Sequence, residues 1–200
     1  MNWIEFDRKL NMNGQRIFTP LDVIRIMNSS EVSVRFFLHR HAKNGTMLRL
    51  KNGLYALADN VPSELEIANK LYQPSYISFE YALSFHKIIP ETVYTVTCAT
   101  TKPTREFTVS GIAYHYYTIK KDAFFGYEPI KRDGAVILMA TPEKAFIDYL
   151  YFVSLKKKAI SDRINVRLLD KHRIFSYAKK FKREALVKLL EIYYDRKRIH

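Results

Sequence analysis

Apolar positions recur at helical spacing through the first forty-odd residues and then alternate. In residues 1–11, Trp3, Ile4, Phe6 and Leu10 mark one side of a short amphipathic helix. "NMNGQ" breaks it, and a second helix is predicted over "FTPLDVIRIMN". Thr19 suits the N-cap, Pro20 the first helical position, and Asp22 the positive end of the helix dipole. Leu21, Ile24 and Met27 or Val23 are the expected buried face. A third helix follows a tight polar turn, with Ser29 or Ser30 as its cap. Val34, Phe37, Leu38 and His41 share one face of it, and Gly45 is a natural stop. Thr46 to Ala58, "TMLRLKNGLYALA", then reads as a β-hairpin, with Asn52-Gly53 supplying two positive-φ positions of a primed turn.

Beyond "ADNVPS" the pattern changes. "SELEIANKLY" predicts a helix capped by Ser63 with Glu66 at capping-box spacing. A further helix is expected from about Ser78 to just before Pro90. "TVYTVTCATT" reads as a strand, "REFTVSGIAYHYYTI" as two strands meeting at Ser110-Gly111, and "GAVILMA" as a buried strand. "TPEKAFIDYLYFV" predicts a helix with Thr141 as cap, Pro142 first and Glu143 at the positive end. Its expected apolar face is Ala145, Phe146, Tyr149, Leu150 and Phe152 or Val153. Helices are expected near Asp170–Phe181 and Lys182–Asp195, the latter with a Leu186, Leu189, Leu190, Tyr193 stripe. The expected class is α+β: a winged helix-turn-helix domain over residues 1–60, in which the third helix would enter the major groove, and a mixed α+β domain over 61–200.

Composition narrows the class. Hydrophobic residues make up 48% of 200 positions, ample for packed cores, and no apolar run is long enough to span a membrane. A single cysteine, Cys98, excludes an internal disulfide; with a charged N-terminus lacking a signal-like run, it points to the cytoplasm. The formal net charge of +13 is uneven. Residues 1–60 hold nine Lys/Arg against five Asp/Glu, 61–150 nine against ten, and 151–200 fifteen against five. Two basic ends fit a polyanionic partner, and equally serve solubility.

Candidate catalytic chemistry is sparse. His39 and His41 diverge by about 200° on a helix and cannot share a metal. His86, His115, His172 and His200 are scattered, no Cys–His pattern has zinc spacing, and no Gly-rich phosphate loop is present. Cys98 sits in a strand pattern as a small core residue. Glu143 and Asp148, five apart, point away from each other. The aromatic-basic stretch Tyr114–Lys121 can stack on bases but also reads as an ordinary strand. No cofactor is expected. The third helix is more specific: Ser33, Arg35 and Phe36 lie in its first turns, where helix-turn-helix proteins reach base edges. Arg pairs with guanine and Phe packs on thymine methyls. Arg40, Lys43, Arg49 and Lys51 suit phosphates.

The wing sequence, "YISFEYALS", "TKPTREF", "FFGY" and "PEKAFIDYLY", in this order, resemble the AbiEi-type antitoxin family of abortive-infection, type IV toxin–antitoxin pairs. The resemblance runs over nearly the whole chain. One departure is His86-Lys87, where the family commonly has an aromatic-Gly pair. The resemblance implies a winged domain that binds inverted repeats in its own promoter and represses transcription. It implies a C-terminal domain that counteracts a nucleotidyltransferase toxin, without need of a stable complex, in phage defence. Carried onto this chain, the DNA-reading segment is Ser30–Lys43 and the wing Arg49–Gly53, including Asn52. The family supplies no catalytic residues. Lys156, Lys157, Lys158, Arg163, Arg167, Lys179, Lys180, Lys182 and Arg183 could extend a basic surface toward DNA, RNA or an acidic partner. With no coiled coil in the sequence, a monomer that pairs on DNA is expected. The alternatives are a nucleic-acid-processing or toxin-reversing enzyme, and a plain toxin-binding domain.

Overall fold

The computed structural model describes residues 1–196, so His200 lies outside the described residues. The chain divides into two compact units, Met1–Leu71 and the remainder from Tyr72. Together they form a mixed α+β protein.

The first unit runs α1 (Trp3–Met12), β1 (Ile17–Phe18), α2 (Pro20–Met27), α3 (Glu31–Lys43), β2 (Met47–Lys51), β3 (Leu54–Leu57) and α4 (Glu64–Leu71). Thr19 and Asp22 close a reciprocal capping box on α2. Asn28, left-handed at φ 45, ends α2, and Ser30 caps α3 only two residues later. The strands form one antiparallel sheet in the order β1-β3-β2. Phe6, Leu10, Phe18, Val23, Val34, Phe37, Leu38, Met47 and Leu57 make a single core. Its centre is aromatic: Phe6 meets Phe18 and Phe37 edge-on, each at 5.3 Å.

Three expectations change here. Leu21 is exposed and Val23 is buried, because α2 turns its Val23 and Ile24 side to α3 and the core. At the hairpin tip only Gly53 has a positive φ, at +73, so Asn52-Gly53 is not a primed turn. A register irregularity between Arg49 and Lys51 absorbs the difference. Third, α4 belongs to the first unit rather than to the domain expected from residue 61. Arg16 Nη2 bonds Glu66 Oε2 at 2.6 Å, and Lys51 Nζ donates to the Leu71 carbonyl at the end of α4.

The second unit holds a six-stranded sheet in the order β6-β7-β5-β4-β9-β8. Its members are β4 (Ser75–Ile77), β5 (Val96–Thr100), β6 (Arg105–Val109), β7 (Ile112–Thr118), β8 (Tyr127–Arg132) and β9 (Ala135–Ala140). The central pair β4/β5 is antiparallel and buried throughout. A hairpin flanks it on each side, β7 running parallel to β5 and β9 parallel to β4. Both hairpins turn through two left-handed residues, Ser110-Gly111 and Asp133-Gly134. The helices are α5 (Phe79–Phe85), α6 (Pro142–Ser154), α7 (Lys171–Lys180) and α8 (Glu184–Arg196). α6 packs against α5, α7 and α8. α5 stops well short of Pro90 because Lys87 turns left-handed at φ 58, and Ile88 N–H donates back to the Leu83 carbonyl at 2.8 Å. Lys87 thus holds the position a glycine usually fills.

Candidate nucleic-acid interface

Helix α3 divides by side. Val34, Phe37 and Leu38 are buried, and His41 stacks on Trp3 at 4.4 Å. Burial pushes the His41 imidazole below its ordinary pKa, with nearby Arg40 acting in the same direction. The opposite side is open, with Phe36 66% exposed and Val32 58% exposed. Arg35 and Arg40 lie about 140° apart around the helix axis, flanking that crest. Lys43 is also exposed.

The hairpin completes a groove. A cavity of about 360 Å³ lies between α3 and the hairpin, lined by Glu31, Arg35, Leu38 and His39 on one wall and Arg49, Asn52 and Tyr55 on the other. Arg49 Nη2 donates to Asn52 Oδ1 at 3.0 Å, which holds the guanidinium at the hairpin tip. The acids Glu5 and Glu66 of this unit are tied to Lys9 and Arg16. Arg35, Arg40, Lys43 and Arg49 make no ion pair among the described residues. Four exposed cations without an ion pair thus lie on the helix and hairpin, with Glu31 as the acid lining the groove between them.

Other expected contacts are committed elsewhere. Ser30 caps α3: its Oγ accepts from Ser33 N–H at 3.4 Å and donates to Ser33 Oγ at 3.0 Å. Lys51 is turned away from solvent by its bond to the Leu71 carbonyl, where a cation suits the helix C-terminus. That long-range partner carries no signal in the local sequence.

The basic candidates of the second unit divide in the same way. Lys158 is mostly buried and bonds Glu80 at 2.5 Å. Arg163 pairs with Glu91 at 2.9 Å and Lys182 with Asp122 at 2.6 Å. Arg183 donates to the Ser154 hydroxyl and carbonyl. These four serve the fold. Lys156, Lys157, Arg167, Lys179 and Lys180 are exposed and make no ion pair among the described residues.

The residues weighed for catalysis are not brought together by shared contacts. His115 faces Glu106 and Tyr117 on the β6–β7 hairpin, and Glu143 accepts from Asp170 N–H at 3.3 Å. Cys98 is buried, which pushes its thiol pKa up. Asp148 is fully buried with Lys144, whose ammonium bonds Asp148 Oδ1. Asp148 Oδ2 accepts from Tyr76 at 2.9 Å and Ser78 at 2.7 Å. Burial pushes Asp148 up and Lys144 down, and each partner opposes the shift of the other. Rings of Tyr76, Phe125 and Phe181 enclose the ammonium at 5.0–5.5 Å. Gly126, at φ +72, lies so close that a Cβ would sit 3.1 Å from the Lys144 stem. So "YIS", "FFG" and "EKAFID" meet in one sealed network. The Lys144–Asp148 spacing of four, one helical turn, was the available signal. Among the described residues no group of His, Cys, Asp or Glu is arranged to hold a metal ion, and no helix is long and apolar enough to cross a membrane.

No protein-family model matches the chain, and no curated protein matches it.

Proposed function

We propose that this chain is a sequence-specific DNA-binding repressor, with Met1–Leu71 acting as a winged helix-turn-helix module. The observation that carries this reading is the α3–hairpin groove, with Arg35 and Arg49 on opposite walls, neither of them in an ion pair among the described residues although Glu31 also lines the groove. The two-residue link from α2 to the α3 cap and the sheet order β1-β3-β2 support it, since they put the hairpin beside the helix that would read bases. In this reading Arg35 and Phe36 contact base edges, while Arg40, Lys43 and Arg49 lie along phosphates. The resemblance to AbiEi-type antitoxins supports a wider role: binding inverted repeats in its own promoter as paired monomers, repressing transcription in the cytoplasm, and countering a nucleotidyltransferase toxin through the second unit. The test is binding to the DNA upstream of the chain's own gene against a shuffled duplex. Three phosphate contacts per copy predict a log–log salt slope of about −3 per bound copy. Equal affinity for both duplexes would refute sequence-specific repression. For the antitoxin role, co-expression with the nucleotidyltransferase encoded beside it must restore growth.

A further inference from the structure

A second cavity, of about 350 Å³, lies within the second unit between α5, α6 and the loops that follow them. Leu83, Ile89, Val93 and Ile164 give it an apolar lining, and Glu80 and Glu91 add two carboxylates. Each carboxylate uses one oxygen internally. Glu80 Oε1 bonds Lys158 Nζ at 2.5 Å, and Glu91 Oε1 bonds Arg163 Nη1 at 2.9 Å. The other oxygens, Glu80 Oε2 and Glu91 Oε2, are shielded from solvent and make no hydrogen bond among the described residues. A shielded carboxylate oxygen without a donor is costly, so two on one cavity require a donor from outside.

The Tyr149 and Ser84 hydroxyls do not supply it. Tyr149 gives its hydroxyl hydrogen to the Ala159 carbonyl at 2.5 Å, and Ser84 gives its own to the Glu91 carbonyl at 2.7 Å. Lys158 is held over the Tyr117 ring at 4.7 Å while paired to Glu80. Beside Lys158 and Ser161, the cavity offers two carboxylate acceptors and apolar surface. A ligand that fits must bring N–H donors, positive charge and a short hydrocarbon part.

We propose that this cavity binds a small organic monocation, an ammonium or guanidinium group on a short apolar chain. The cation sits between Glu80 Oε2 and Glu91 Oε2, and its chain lies against Leu83, Ile89 and Val93. Tyr149, on the same cavity, has its phenol pushed up to about 12 by burial first and by Glu80 second. The site is independent of the DNA-binding reading, since every residue in it belongs to the second unit.

The test is calorimetric titration of the full chain with hexylammonium, with hexanol and hexanoate as controls. Hexylammonium is expected to bind saturably, about tenfold or more tighter than hexanol, and hexanoate not at all. Methyl resonances of Leu83, Ile89 and Val93 should shift on binding. Glu80→Gln and Glu91→Gln should each weaken binding by about tenfold. Val93→Phe, which fills the cavity and leaves both carboxylates, should abolish binding even if the Gln variants fold poorly. No saturable binding of hexylammonium would overturn the proposal. So would equal affinity for hexanol, or full affinity in Val93→Phe.

Discussion

Around α3, four exposed cations make no ion pair among the described residues, whereas on α6 an ammonium and a carboxylate are sealed together from water. Both are charge, but they cost and contribute differently. Arg35, Arg40, Lys43 and Arg49 lose little by being unpaired because water solvates them, and they stay available to a polyanion. Lys144 and Asp148 have lost that solvation. They are tolerable only because each holds the other while Tyr76, Ser78 and three rings complete the shell. Removing a charge should therefore change binding in the first unit and folding in the second.

The largest effect should come from breaking the buried pair. Asp148→Ala strands an ammonium and two hydroxyls, and is expected to cost about 3–5 kcal/mol in urea unfolding followed by circular dichroism. The double change Lys144→Met with Asp148→Leu should cost less than Asp148→Ala alone. A small cost for the single change would remove the contrast between the two regions.

Next comes the helix–hairpin face. Arg35→Ala and Arg49→Ala should each weaken binding to upstream DNA by about tenfold; Arg49→Ala should also make the salt slope about one unit shallower, and Arg35→Ala should relax the preference for the upstream duplex. Their stability, read from Trp3, the only tryptophan and a first-unit residue, should stay within about 0.5 kcal/mol of the parent. Lys51→Ala sharpens the comparison inside one hairpin: it should destabilise by about 1 kcal/mol and leave the salt slope unchanged, because its partner is the Leu71 carbonyl.

A smaller gain is expected at Lys87→Gly. Relief of a left-handed lysine should stabilise the second unit by about 0.5–1 kcal/mol, measurable as a higher unfolding midpoint. The smallest effect concerns pH. The folded His41 pKa is depressed, so the unfolded chain binds a proton more readily. The His41 contribution to stability is then full above the ordinary value of 6.5 and is lost as pH falls through 6.5 toward the folded value. The difference in Trp3-detected stability between pH 7.5 and 5.5, approximate endpoints chosen to bracket an ordinary histidine pKa, should shrink in His41→Gln.

Much of the first unit was legible because its signals are local. Thr19, Pro20 and Asp22 start α2 by rules that need no tertiary contact. Ser110-Gly111 marked its hairpin, and Asp133-Gly134 carries an equally strong signal that reading "GAVILMA" alone passes over, so β8 is missed. β4 has only three residues, too short for periodicity to register. The exposure of Leu21 and burial of Val23 depend on which side α2 turns to the core, and the spacing admits either. The candidate interface was legible as a basic helix and hairpin, because Arg35, Arg40, Lys43 and Arg49 are surface residues read one at a time. The commitments of Lys51, Lys158 and Arg183 were not, because their partners lie 20 to 78 residues away. Charge in a sequence counts cations, whereas only folding decides which are free.

The central claim, that α3 and its hairpin read DNA, is tested most directly by fluorescence anisotropy at several salt concentrations. The parent and the Arg35→Ala/Arg49→Ala double variant are titrated with the upstream duplex and a shuffled duplex of equal length. The account predicts that the parent prefers the upstream duplex by on the order of 10³-fold or more, and that the double variant loses most of this preference while keeping the parent's Trp3-detected stability. Equal affinity of the parent for the two duplexes, or an unchanged preference in the double variant, would contradict it.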